Sequence, residues 1–365
     1  MTGPGETRPP LHLASEPLAQ LSAYRTKPDP APVKLDANES PWPLPEDARR
    51  RLAERLADVP VHRYPDLLAR DLKRALAERL GARPEELLLG VGSDEVIGVL
   101  MSAFGRAPGR VLYPTPTFVM YPITARVHGL EPVEVPLAPD WSLDVEATTR
   151  VIRHDTPNLI FLATPNNPTG NRFAPEALEA IVRAAPRSLV VLDEAYVAFA
   201  GESLGGWVDR HANVGVMGTL SKVGLAGLRV GWIRMHEALV NEAEKARPPY
   251  NLNAYAQAAA TALLTEMPEL LEAQVEAIVA ERSRLVELLT PRVERVHPSE
   301  ANFVLVEVDD AAAVHAGLLE RGVQVRRFAN EPRLTACLRI TVGTPEETDR
   351  LVEALDALSS TTATL

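Results

Sequence analysis

A single cysteine, Cys337, occurs among 365 residues, so an internal disulfide cannot form and a Cys₂ or Cys₄ zinc site is excluded. Cys337 stands in the apolar run Ala336 to Val342, which predicts a buried, inert thiol and a reduced cytosolic setting. The eight histidines are scattered without an H-x-x-x-H pair, and no metal site is expected. No apolar stretch approaches a membrane span, and the polar start Met1 to Pro10 lacks the apolar core of a signal peptide. Cytoplasm is therefore the expected location. Basic residues are outnumbered, 38 against 49 acidic, for a net charge of −11. This argues against an extended nucleic-acid surface, although two or three arginines can still hold a small phosphate within a cleft. What remains, 46% hydrophobic and 24% charged residues, is a globular composition with length enough for two or three domains and a ligand cleft.

The first 45 residues are rich in Pro and charge and gain a helical start only at Pro45-Glu46-Asp47. From Leu87 onward short apolar runs alternate with amphipathic ones. The runs are Leu87 to Leu89, Val111 to Tyr113, Val133 to Val135, Leu159 to Leu162, Leu189 to Leu192, Val214 to Met217 and Val230 to Ile233. Such spacing predicts an α/β fold with a largely parallel sheet covered on both faces. Long helices follow, Asn253 to Glu266 and Pro268 to Leu289, the second with an apolar stripe at Leu271, Val275, Ile278 and Val279. Short strands and helices return over the last 75 residues and predict a small α+β domain completed by the N-terminal arm.

Four segments can carry chemistry. Gly90-Val91-Gly92-Ser93-Asp94-Glu95 follows a strand and opens a helix, where free N–H groups can bind phosphate. A dinucleotide loop is excluded because Glu95 replaces the third glycine, and a plain strand-to-helix turn stays open. Thr164 to Gly170 makes a turn at a strand's end, with Asn166 and Asn167 able to donate amide hydrogen bonds; a plain loop is the alternative. Asp193, in Asp193-Glu194-Ala195-Tyr196, ends a buried strand and needs a cation or several donors. Lys222, in Thr219-Leu220-Ser221-Lys222, follows another strand among small and apolar residues, a setting suited to a nucleophilic amine, or else it snorkels from a strand edge.

Together, Asn166-Asn167-Pro168-Thr169-Gly170, Asp193 to Tyr196, and Ser221-Lys222 followed by Gly227-Leu228-Arg229 resemble the signature of fold-type I, pyridoxal-phosphate-dependent aminotransferases, from about residue 34 to 357. Within that group Lys34 to Pro41, Arg63 to Asp66, Ser299 to Phe303 and Cys337 to Thr344 are similar to the histidinol-phosphate aminotransferase family. The resemblance implies a large domain, a mostly parallel sheet sandwiched by helices, at 46–284. A smaller α+β domain at 285–365 and an arm at 1–45 that packs on it and on a partner subunit complete the chain.

It further implies that Lys222 bonds covalently to the aldehyde of pyridoxal 5′-phosphate and shuttles the substrate Cα proton. Asp193 would pair with the ring nitrogen, Tyr196 and Asn167 with the phenolate oxygen O3′, and Phe118 would stack on the ring. Ser93, Asp94, Ser221 and Arg229 would hold the cofactor phosphate, joined by Tyr64 of the partner subunit in a homodimer. The Lys222 to Arg229 spacing of seven is one residue shorter than is usual there, implying a tighter loop. Arg339 would grip the glutamate carboxylate or the substrate phosphate, Arg326 the phosphate, with Tyr24 and Asn38 as further substrate contacts. The implied activity is transamination between histidinol phosphate and 2-oxoglutarate, giving glutamate. Aromatic aminotransferase and threonine-phosphate decarboxylase are alternatives on the same scaffold. A cofactor-binding regulator is disfavoured, because the Pro-rich arm offers no room for a DNA-binding helix-turn-helix.

Overall fold

The computed structural model describes residues 31–362, so Tyr24 and most of the arm lie outside the described residues. The described chain opens with strand β1 (Val33–Leu35) and helices α1 (Glu46–Ala57) and α2 (Arg70–Leu80). It then alternates β2 (Leu87–Val91), α3 (Gly92–Phe104), β3 (Arg110–Thr115), α4 (Met120–Val127), β4 (Glu131–Pro136), α5 (Val145–Asp155), β5 (Leu159–Ala163), α6 (Pro175–Ala184) and β6 (Leu189–Asp193). Strands β7 (Val214–Thr219) and β8 (Val230–Met235) follow, then α7 (Glu237–Glu244), α8 (Ala254–Glu266) and α9 (Pro268–Leu289). The remainder is β9 (Arg295–Val296), β10 (Phe303–Glu307), α10 (Ala311–Glu320), β11 (Val323–Arg327), β12 (Cys337–Thr341) and α11 (Pro345–Thr362). Among the described residues no helix is long and apolar enough to cross a membrane.

Strands β2 to β8 form one seven-stranded sheet in the order β2-β8-β7-β6-β5-β3-β4. All neighbours are parallel except β8, which runs antiparallel to β2 and β7. The α/β architecture is thus the expected one. The unbroken apolar runs follow from burial on both faces: in β5, Ile160 and Leu162 enter the core on one side, and Leu159 and Phe161 the core on the other. Register aligns the strand ends, Ala163 opposite Asp193 and Asp193 opposite Met217. The chain therefore leaves β5, β6 and β7 along one edge, the edge at which such sheets bind ligands.

The second sheet has the order β1-β11-β12-β10-β9, antiparallel except for β1 alongside β11. Helix α9 spans both regions. Leu271 near its start packs with the α2 and α8 core, whereas Ile278, Leu285 and Leu289 join the core of the second sheet. Residue 284, the expected end of the larger domain, falls inside this continuous helix. Asn253, expected as the first helical residue of α8, instead caps it, its side chain accepting from the Ala256 N–H.

Candidate active site

Asp193, the last residue of β6, is 4% exposed and sits at the floor of a cavity on that sheet edge. Burial pushes its pKa up to about 6; hydrogen bonds from Tyr121 and the Ala195 N–H oppose the rise, Asp94 adds to it, and the Lys222 charge opposes it. Tyr121 donates to Oδ2 at 2.6 Å and Ala195 N–H to Oδ1 at 3.1 Å. Two donors are too few to keep a buried carboxylate at its ordinary value, so Asp193 is a group that a cation would stabilise. Tyr121 had no signal of its own in the sequence, since it reads as a core aromatic. It does stack on Phe161, with centroids 4.8 Å apart, but its hydroxyl is aimed at Asp193.

Lys222 leaves the end of β7 and lines the same cavity, its Nζ 5.7 Å from the centre of the Tyr196 ring. Ser93, Asp94, Ser221 and Arg229 gather at one end of that cavity. There α3 begins at Gly92, with φ of 75°, and its N–H donates to the Arg229 carbonyl at 2.8 Å. Arg229 Nη1 donates to Ser221 Oγ at 3.4 Å and Nη2 to Asp94 at 3.2 Å. The Thr219 hydroxyl accepts the Ser221 N–H at 3.1 Å and donates to the Val230 carbonyl at 3.0 Å, setting Ser221 in place.

This packing has no spare room. A Cβ on Gly92 would stand 2.5 Å from Arg229 Nη2, and one on Gly231 2.4 Å from the Ser93 nitrogen. The short loop from Lys222, turning at Gly224 with φ of 91°, thus still brings Arg229 to the N-terminus of α3. Glu95 accepts from the Val91 N–H at 2.7 Å and from Asn251 Nδ2 at 2.6 Å, bracing the turn from behind.

A second, larger cavity opens from the first and shares Asp94, Phe118, Asn167, Tyr196 and Lys222 with it. Phe118 lies across both and packs edge-on to Tyr121. Arg326 on β11 and Arg339 on β12 are direct cross-strand partners and both line this space. Like charges so placed repel, and an anion between them would relieve the repulsion. Arg339 Nη1 donates to Asn167 Oδ1 at 2.7 Å, and Nη2 donates to the Asp36 carbonyl.

Asn38 borders the larger cavity, but its side chain is engaged with Tyr196 and Thr341, so it supports Tyr196. Tyr64 lines neither of these two cavities. It is 81% exposed and stacks on Tyr250 at 4.7 Å. Tyr24 lies outside the described residues.

These residues fit a phosphorylated pyridine aldehyde. A buried carboxylate with a raised pKa awaits a protonated ring nitrogen, an amine stands by for the aldehyde, and a helix N-terminus with Ser221 and Arg229 suits the phosphate.

Residues 30–355 match the aminotransferase class I and II family. Histidinol-phosphate aminotransferase 1 of Burkholderia lata is 43% identical over 351 residues, 94% of this chain and 95% of the relative. A crystal structure of histidinol-phosphate aminotransferase from Sinorhizobium meliloti in complex with pyridoxal-5′-phosphate superposes with a TM-score of 0.83 at 26% identity, covering 95% of this chain and 98% of the other. L-threonine-O-3-phosphate decarboxylase from Porphyromonas gingivalis shares the fold, with a TM-score of 0.76 at 22% identity over 90% of this chain and 99% of the other. The chain belongs to the aminotransferase class I and II family, in its histidinol-phosphate aminotransferase group.

Proposed function

We propose that this enzyme transfers an amino group between L-histidinol phosphate and 2-oxoglutarate, giving imidazole-acetol phosphate and L-glutamate in histidine biosynthesis, with pyridoxal 5′-phosphate as cofactor. The observation that carries the reading is the arginine pair Arg326 and Arg339, on adjacent strands over the cavity that holds Lys222. Both offer planar donors to a phosphate in one half-reaction, and Arg339 offers them to a carboxylate in the other.

When bound, the cofactor supplies an electron-accepting ring. Asp193 holds the proton on its nitrogen, and Lys222 holds the aldehyde carbon through its amine and then moves the proton at the substrate Cα. Tyr196 and Asn167 donate hydrogen bonds to O3′, while Phe118 covers the ring face. The Ser93 and Asp94 N–H groups, Ser221 and Arg229 hold the phosphate. The partner subunit's Tyr64 adds to that phosphate site in a homodimer. Supporting this, six of the eight large apolar residues exposed among the described residues fall in two stretches, Val61, Tyr64, Leu67 and Leu68, and Tyr250 and Tyr255, joined by the Tyr64 and Tyr250 stack. In this reading the enzyme works in the cytoplasm, and its lobes are a large one at 46–284 and a small one at 285–365 with the arm at 1–45.

The test is kcat/KM for histidinol phosphate, phenylalanine and tyrosine, alongside carbon dioxide release from threonine phosphate. The proposal expects histidinol phosphate to lead with no carbon dioxide released. A preference for the aromatic amino acids, or decarboxylation, overturns it.

A further inference from the structure

The polar groups behind Tyr196 determine which way its hydroxyl faces. Asn38 is 1% exposed and has φ of 54°, a left-handed conformation that Asn and Asp adopt more readily than most residues. Its backbone N–H donates to Thr341 Oγ1 at 3.0 Å, and its carbonyl accepts from Asn302 Nδ2 at 3.0 Å. Thr341 is 2% exposed, so its hydroxyl proton must find an acceptor inside the protein, and Asn38 Oδ1 lies 3.1 Å away. The opposite amide orientation would turn the Asn38 NH₂ onto an oxygen that already accepts the Asn38 N–H, and would strand the buried hydroxyl proton.

The NH₂ therefore faces Tyr196 and donates to its hydroxyl oxygen at 2.9 Å. A phenol that accepts at that position keeps its own proton for another partner. Among the described residues no acceptor for that proton is found, and Tyr196 borders the cavity that contains Lys222 and Asp193.

We infer that Asn38 is a positioning residue: held by Thr341, it makes Tyr196 a donor into the cofactor cavity. The inference rests on the cofactor reading above and deepens it, because the donor then meets O3′. It also replaces the expected direct contact of Asn38 with substrate.

Asn38→Asp tests this, since it nearly preserves shape and backbone preference but exchanges the donating NH₂ for an oxygen that only accepts. The phenol then turns its proton toward the new carboxylate. The readout is the pH titration of the bound cofactor's visible absorbance in four proteins: wild type, Asn38→Asp, Tyr196→Phe and the double variant. A donor on a phenolate oxygen favours the ionised form, so losing it moves the titration upward by about one pH unit. The new negative charge also moves it upward, and the Tyr196→Phe background measures that part alone. The expected result is an Asn38→Asp shift about one unit larger with Tyr196 present than without it, and equal shifts overturn the inference.

Should Asn38→Asp fail to fold, Thr341→Val provides the same comparison without added charge. An upward shift that needs Tyr196 supports the inference, and no shift in either background overturns it. A wild-type protein that develops no visible band with pyridoxal phosphate refutes the cofactor reading and this inference with it, whereas equal shifts refute the inference alone.

Discussion

Replacing Asp193 by Asn is expected to strengthen the cofactor-free protein while crippling its reaction. Burial lifts the carboxyl from its ordinary 3.8 to about 6. The unfolded chain releases this proton near its ordinary value and the folded chain near the higher one, so the native state binds more protons between them. Stability therefore falls as pH rises through that window. Above it the deficit equals the whole shift, about two units or about 3 kcal/mol. An amide carries no charge to desolvate and recovers this amount, less about 1 kcal/mol for a lost partner. Its single oxygen can accept from the Ala195 N–H or the Tyr121 hydroxyl, but not from both. The net expectation is a variant about 2 kcal/mol more stable at neutral pH and about 1 kcal/mol less stable below the window. Urea denaturation of both cofactor-free proteins from pH 3 to pH 8 measures it. A stability difference that does not change with pH, or a wild type that stays ahead at neutral pH, refutes the reasoning. With cofactor bound the order should reverse, and Cα deprotonation should slow by on the order of 10³.

Lys222→Ala should abolish covalent cofactor attachment, read as loss of reducible adduct by mass spectrometry after borohydride treatment, together with transamination; near-normal turnover would remove the assigned role. Arg326→Ala should raise KM for the phosphorylated substrate about tenfold or more while changing that for glutamate little, because it removes one of two phosphate donors; equal effects would mean that Arg326 only packs. Gly231→Ala forces a Cβ to 2.4 Å from the Ser93 nitrogen, and the strain of about 1–3 kcal/mol should appear as weaker cofactor binding in a fluorescence titration. An unchanged dissociation constant would show that the cradle tolerates displacement.

The strands of the large sheet were legible because each is buried on both faces, so Leu159 to Leu162 and Leu189 to Leu192 need no alternation to be recognised. The polar residues at their ends were legible for the opposite reason, since Asp193 and Lys222 interrupt apolar runs at a cost that calls for a purpose. Strand β1 and the two-residue β9 were not foreseen, because each exists through a partner far along the chain and carries little pattern of its own. Tyr121 was hidden by its likeness to a packed aromatic. The engagement of Asn38 with Tyr196 depends on the left-handed backbone and on Thr341 arriving from β12, a meeting that spacing cannot reveal.

The pairing of Val33–Leu35 alongside Val323–Val325 bears on the order in which the molecule comes together. Contacts between such distant stretches form slowly, and a ribosome must pass Val325 before this edge can close. The wide sheet, with its buried acid and its lysine, has every strand available much earlier and can consolidate first. Asn38 lies three residues beyond β1, so a truncated product ending before β11 would keep the floor of its pocket yet lack the support that aims the phenol. Competence for chemistry would then be the final property a nascent molecule acquires.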